Sequence, residues 1–439
     1  MKRSILGMII ILLLLAAINA LAFDPLFYAR IDYRAGNYPG SVFAVDLDGD
    51  GHDDLVVANS YSDNISVLLN NGDGTFQSAV NYGAGISPRS VFADDLDSDG
   101  DNDLVVANAP SDNVSVLLNN GDGTFQTAVG YGAGSWPISV FAVDLDGDSD
   151  NDMAVANYNS DNVSVLLNNG DGTFQTAVNY GAGNEPASVF AVDLDGDGDS
   201  DLSVANGISD NVSILLNNGD GTFTTAVHYS AGDYPSSVFA ADLEGDGDSD
   251  LAVANAGSEN VSVLLNNGDG TFQAAVNYGA GDSPSSVFAA DLDGDSDNDL
   301  VVTDWNSRNV FVLSNNGDGT FQAAVNYEAG HMPTSVFTAD LDGDNDNDLA
   351  VTNGGSDNVS VLLNNGDGTF PAAADYGTGN TPYGIFAADL DGDGDNDLAA
   401  ANFYSDSISV LLNNGDGTFQ AAANYPAGDR SVSVFAEDL

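Results

Sequence analysis

From Ser41 onward the chain is a succession of short apolar runs cut by stretches of Gly, Asn, Asp and Ser, always in one order. SVFAVDL (41–47) leads into an aspartate-rich loop. DLVVAN (54–59) follows, then a variable pair, then Ser62-Asp63-Asn64. NISVLLN (64–70) is a third run, NGDGT (71–75) a turn, and FQSAVNY (76–82) a fourth run that ends in AGxxP. Runs this short, rich in β-branched and aromatic residues and bounded by Gly, Asn and Asp, predict four strands, A to D. NGDG is a hairpin signal, because Asn, Asp and Gly tolerate positive φ. LVVA and VSVLL lack strict polar alternation, so their sheet should be covered on both faces.

The pattern returns every 49 residues, and no stretch beyond the first 22 residues shows a helical period. The fold class is all-β. One four-stranded sheet cannot bury both of its faces, whereas copies set around an axis bury each other and leave only short edges. The expectation is a β-propeller of four-stranded blades, one repeat per blade. Eight blades are favoured, and seven are the alternative that would leave one repeat undocked. A D-type strand (27–33) and an A-type strand (433–438) are left over at the two ends and could overlap to latch the ring.

Between strands A and B lies DLDGDGHDDL, with Asp at loop positions 1, 3, 5 and 9. Curled tightly, the loop brings four carboxylates around one point. A hard cation such as Ca²⁺ takes six to eight oxygens, and position 7 can add its backbone carbonyl. Gly51 permits the positive φ that such a loop needs. The candidate metal residues are Asp46, Asp48, Asp50, His52 and Asp54 in the first loop and Asp95, Asp97, Asp99, Asp101 and Asp103 in the second. The third has Asp144, Asp146, Asp148, Asp150 and Asp152, the fourth Asp193, Asp195, Asp197, Asp199 and Asp201. The fifth has Asp242, Glu244, Asp246, Asp248 and Asp250, the sixth Asp291, Asp293, Asp295, Asp297 and Asp299. The seventh has Asp340, Asp342, Asp344, Asp346 and Asp348, the eighth Asp389, Asp391, Asp393, Asp395 and Asp397. A ninth loop opens at Asp438, as in a piece of a longer array. About eight Ca²⁺ sites are expected.

Composition sharpens this picture. The chain has 67 Asp and Glu against 7 Lys and Arg, a formal net charge of −60. Forty of the 67 acids fall in the loops, whereas a salt-adapted surface would spread them evenly. No basic patch exists to hold nucleic acid. Residues 1–22 read as a signal peptide: Lys2 and Arg3, an apolar stretch, then Ala20-Leu21-Ala22 before Phe23. The mature domain, 23–439, would be secreted, extracellular or at the cell surface, without a membrane span and with charge −62 once Lys2 and Arg3 are gone. It has no cysteine, so core and metal must stabilise it.

SVFAVDLDGDGHDDLVVAN resembles the FG-GAP or VCBS repeat of integrin α-subunit propellers and many bacterial secreted proteins. The likeness runs over nearly all of 41–439. It implies a propeller whose A–B loops bind Ca²⁺ through the acids at positions 1, 3, 5 and 9. Glu244, one methylene longer, and Ser149, Ser296 and Asn345, which stand where Gly is usual, depart from the pattern. Loops three and six are expected to bind most weakly.

Two places vary between repeats: the pair before Ser-Asp-Asn, in the B–C loop, and the pair inside AGxxP, in the D–A connection. Both lie opposite the A–B loops. They carry the ligand-face candidates Tyr61, Trp136, Tyr158, Tyr234, Trp305, Phe403 and Tyr404. Aromatics there suit sugar rings or peptide side chains. His52, His228 and His331 occupy unrelated repeat positions, and the mature chain lacks Cys and Lys. The expected function is a non-catalytic binding or adhesion module for a glycan or extracellular protein, built as a monomeric ring. A polysaccharide-active propeller enzyme and a structural surface spacer are the alternatives.

Overall fold

The computed structural model describes residues 39–72, 75–405, 407–420, 423–425 and 433–435, all within one unit, Asp32–Leu439. The leader and the D-type strand expected at 27–33 lie outside the described residues.

In the first repeat, strands A to D are Pro39–Val45, Asp54–Asn59, Asn64–Leu68 and Val80–Gly83. They pair in chain order as an antiparallel sheet, and the other seven repeats do the same. Strand B is buried at every position in all eight copies, as expected of a central strand covered on both faces. Strand D, exposed at three of its four residues, is the outer edge. The only helical element among the described residues is the 3-10 turn Ala109–Ser111, which begins one residue before Pro110.

Strand A is innermost. Its phenylalanines, Phe43, Phe92, Phe141, Phe190, Phe239, Phe288, Phe337 and Phe386, form a chain with centroids 4.8 to 6.1 Å apart. Farther out, the strand-D Tyr of one blade meets the turn Phe of the next edge-on, as in Tyr131–Phe174 at 5.4 Å. Between these two aromatic contacts Val, Leu and Ala fill each blade–blade interface. Each fully buried Val or Leu contributes about 1.5–3 kcal/mol.

Eight blades close the ring. Leu55, Val57 and Phe76 of the first blade share a buried cluster with Leu390, Ala399 and Val410 of the eighth. The A-type strand expected at the C-terminal end is present as Ser433–Phe435. It pairs parallel with the first A strand, Ser433 opposite Ser41 and Phe435 opposite Phe43, making that sheet five-stranded.

The register fixes the two faces. Val143 lies opposite Asp152 at one end of the A–B ladder and Pro137 opposite Asn157 at the other. Acidic loops and NGDG turns therefore share one face. B–C loops and D–A connections share the other.

Candidate metal centres and the opposite face

Each acidic loop is built by its own carboxylates. In the first, Gly49 N and Gly51 N donate to the two oxygens of Asp46 at 2.8 and 2.9 Å, and His52 N donates to Asp50 Oδ1 at 3.0 Å. The curl puts positions 4 and 6 at positive φ, +73° for Gly49 and +85° for Gly51. Where Gly is replaced the conformation persists, with φ 75° at Ser149, 73° at Ser296, 70° at Asn345 and 61° at Ser98.

The curl converges the acids. Carboxylate oxygens from positions 1, 3 and 5 lie within 4.8 Å of one another in Asp46/Asp48/Asp50, Asp95/Asp97/Asp99, Asp193/Asp195/Asp197 and Asp291/Asp293/Asp295. In the third loop the trio is Asp144, Asp146 and Asp152. At position 3 the Oδ1 atoms of Asp48, Asp97, Asp146 and Asp342 are buried without any hydrogen-bond donor. Burial, then repulsion from the position-5 Asp, raises the pKa of Asp48 and Asp97. A buried carboxylate oxygen aimed at other carboxylates and lacking a donor is what a hard cation would satisfy. The residues fit Ca²⁺.

Position 9 has a double task. Asp54 is fully buried; Leu47 N donates to its Oδ2 at 2.9 Å and Asn70 N to its Oδ1 at 2.6 Å. Burial outweighs those two bonds and lifts its pKa to about 7. The other blades repeat this, at about 7 for Asp103 and Asp397 and about 6 for Asp201 and Asp299. The acid is a structural hinge between loop and turn as much as a ligand candidate. At position 7 the side chain turns away: the Asp101 carboxylate lies against Gly121 of its own NGDG turn, and His52 against Gly72. Position 7 therefore has its backbone carbonyl to offer.

The first Asn of each turn ties the loops together. Asn119 Nδ2 donates to the Leu47 carbonyl in the preceding blade's loop at 2.8 Å, and to Asn102 O in its own at 2.9 Å. The link recurs at Asn168, Asn217, Asn266, Asn315, Asn364 and Asn413. Asn70 completes the circle by donating to Leu390 O of the eighth blade at 2.9 Å. Sequence reasoning took NGDG for a plain turn and missed these residues; the doubled Asn in every repeat was the available signal.

On the opposite face the candidates fall into groups. Trp305 packs on Tyr383 at 5.4 Å, Tyr383 on Phe403 at 5.5 Å, and Phe403 on Tyr404 at 4.9 Å. Trp305 belongs to the sixth blade, the other three to the eighth. Tyr158 donates from its hydroxyl to Glu185 Oε2 at 2.5 Å and lies 3.4 Å from the Tyr234 hydroxyl. Trp136 meets this group through its carbonyl, which accepts from Tyr158 N at 2.9 Å. Tyr61, Tyr404 and Tyr234 are 65, 49 and 44% exposed, whereas Trp136, Tyr158, Trp305 and Phe403 are half-buried. Tyr383 was not foreseen. It follows the proline that opens strand A, where most other repeats carry Gly, Ala, Ser or Thr.

A closed ring of eight four-stranded blades, each with an acidic loop between its two inner strands, defines a β-propeller of the repeat-loop type. The chain belongs to the FG-GAP-like repeat family, whose pattern matches residues 46–106, 95–155, 144–204, 193–253, 245–302, 291–351, 340–400 and 389–439. Among solved structures it is similar to a protein from Lactobacillus plantarum (15% identity, 78% of this chain and 97% of that one, TM-score 0.52). It is also similar to BBS1N in complex with ARL6DN (14%, 73% and 91%, 0.50) and to an Agrocybe aegerita lectin that recognises non-reducing terminal N-acetylglucosamine (24%, 89% and 90%, 0.46). These likenesses bear on the fold alone. No curated protein is significantly similar to the chain.

Proposed function

We propose that the chain is a secreted, calcium-loaded, non-catalytic binding module that holds a glycan or an extracellular protein on the face opposite its acidic loops. The observation that carries the reading is the run of rings Trp305–Tyr383–Phe403–Tyr404 on that face, with Tyr404 half open to water. Flat aromatic surface with a polar edge stacks on sugar rings and packs apolar side chains. The rings stand on a closed circle of packed blades, so little ordering would be needed on binding.

The non-catalytic reading rests on chemistry. His228 bonds Ser213 Oγ at 2.9 Å on an outer strand, far along the repeat from His52 and His331. In the acidic loops three carboxylates converge within 4.8 Å of one another, and position 7 can add a carbonyl, a donor set with more oxygens than an open catalytic site needs. In a glycan-array and protein-capture screen of the calcium-loaded protein, Trp305→Ala should weaken retention at least about tenfold with the melting temperature nearly unchanged. Loss of stability without loss of affinity per folded molecule would overturn the reading. Secretion is checked separately: the exported protein should begin at Phe23.

A further inference from the structure

Arg89 is out of keeping with the rest of the molecule. The chain carries 67 acids and 7 bases, so a guanidinium should find a carboxylate easily. Arg89 has none. Its Nε is buried with no acceptor, and among the described residues no ion pair or hydrogen bond engages its side chain. Burial lowers its pKa, with Tyr61 acting in the opposite sense. A half-buried cation without a partner is costly to keep unless something supplies the anion.

Its position is informative. Arg89 follows Pro88 at the start of the second A strand, the place that Tyr383 holds in the eighth blade. Both therefore belong to the inner rim of the face opposite the acidic loops, with the first blade between them. Ser60 Oγ of the first blade donates to Pro88 O at 2.5 Å, which sets Tyr61 beside Arg89. Tyr61 is 65% exposed. An aromatic ring open to solvent thus stands next to an unpartnered guanidinium.

We propose that Arg89 and Tyr61 form a carboxylate subsite, and that the ligand of this ring is an acidic sugar, a glycan carrying hexuronate residues. The proposal rests on the reading of this face as the binding face. A guanidinium matches a carboxylate through two parallel N–H···O bonds, and with the Arg89 Nε buried the two Nη groups are the donors that would make this fork. Tyr61 supplies stacking surface for the pyranose that bears the carboxylate. Most acids of the chain lie on the other face, but Asp63, which accepts from Ser87 N at 2.9 Å, stands close by, so the rim suits a ligand with one charge per residue and is unwelcoming to a densely sulfated polymer.

The test uses two probes with one backbone, β-1,4-linked tetraglucuronate and cellotetraose, titrated calorimetrically into the calcium-loaded protein. The wild type should prefer tetraglucuronate, and added salt should erode that preference. Arg89→Gln should weaken tetraglucuronate about tenfold to a hundredfold, the range for a hydrogen-bonded charge, and leave cellotetraose unchanged. Trp305→Ala should weaken both probes. If Arg89→Gln does not fold, Arg89→Lys replaces it; it keeps the charge without the fork and should weaken only the acidic probe. Unaltered tetraglucuronate affinity in the folded Arg89 variant overturns the subsite and leaves the binding face standing if Trp305→Ala still weakens the probes. Equal wild-type affinity for the two probes, or binding of neither, overturns it as well.

Discussion

At Ser149 and Ser296 the loops hold a backbone conformation that a Cβ resists, φ 75° and 73°. Replacing either by Gly relieves about 1 kcal/mol of left-handed strain, offset in part by the greater freedom of Gly in the unfolded chain. Ser149→Gly and Ser296→Gly should therefore raise calcium affinity at their own loops and leave the melting point of the metal-free protein level or slightly higher. Isothermal titration and thermal melts in EGTA check this; weaker binding in the variants would refute it. The strain at positions 149, 296 and 345 was legible, because Gly stands at position 6 in the other five loops. Ser98 was legible by the same comparison, since Gly stands at position 4 in the other seven loops, but it was passed over. The position-9 acids carry a second residue-scale prediction. In the metal-free protein Asp54 titrates near 7, against 3.8 for an ordinary Asp. The folded form then binds protons more tightly than the unfolded form, so stability falls as pH rises between these values. Without calcium the protein should melt higher at about pH 5 than at about pH 7.5. With calcium the order should reverse, because protons compete with the ion for the same oxygens. The same slope in both states would contradict either the burial or the ligand role.

At the scale of the element, the C–D turn links each blade to the one before it. Asn217 Nδ2 donates to Leu145 O at 2.7 Å and Ser200 O at 3.0 Å, and its Oδ1 accepts from Gly219 N at 3.1 Å. Its neighbour Asn218 bonds only Thr222 in the same exposed turn. Asn217→Ala strands buried carbonyls and should cost about 2–4 kcal/mol, whereas Asn218→Ala should cost about 1 kcal/mol or less. Urea melts of the two variants give the comparison, and equal losses would mean that the inter-blade link is not what holds the turn. Sequence period and turn chemistry were sufficient to place strands A to C, because Gly, Asn and Asp punctuate every run, but the fourth run was read too early: strand D is only Val80–Gly83, and Phe76 makes a single bridge to Asn70. Period and turn chemistry could not separate two adjacent asparagines with opposite fates, since burial depends on a neighbour 72 residues away.

For the whole molecule, the proposed calcium loading carries the largest prediction. Extracellular modules bind Ca²⁺ with Kd on the order of 10⁻⁴ to 10⁻³ M. At roughly 1 mM free ion each site then adds about 0.4 to 1.4 kcal/mol, and eight independent sites about 3 to 11 kcal/mol, as much as the stability of a typical domain. EGTA should lower the melting temperature strongly or unfold the protein, and Mg²⁺ should restore it poorly because it keeps its waters. An unchanged melt in EGTA, with no calcium by elemental analysis of the purified protein, would defeat this. Ring size was readable by counting repeats. How the ring seals was only partly so: an extra A-type strand at the C-terminal end was expected, but its parallel pairing with the first A strand depends on where the eighth blade arrives.

Every blade but the first, which also takes the strand Ser433–Phe435, is cut from one uninterrupted stretch of chain, and nearly every pair of neighbours meets through the same set of contacts. The blades are thus interchangeable parts. A chain in which the third and fifth repeats had traded places would close the same circle, with the same hooks and the same loops. What would change is the order in which Tyr158, Trp136 and their counterparts come round on the open face. Shuffling of whole repeats within the gene can therefore rearrange the side chains of the open face while the fold that carries them stays as it is.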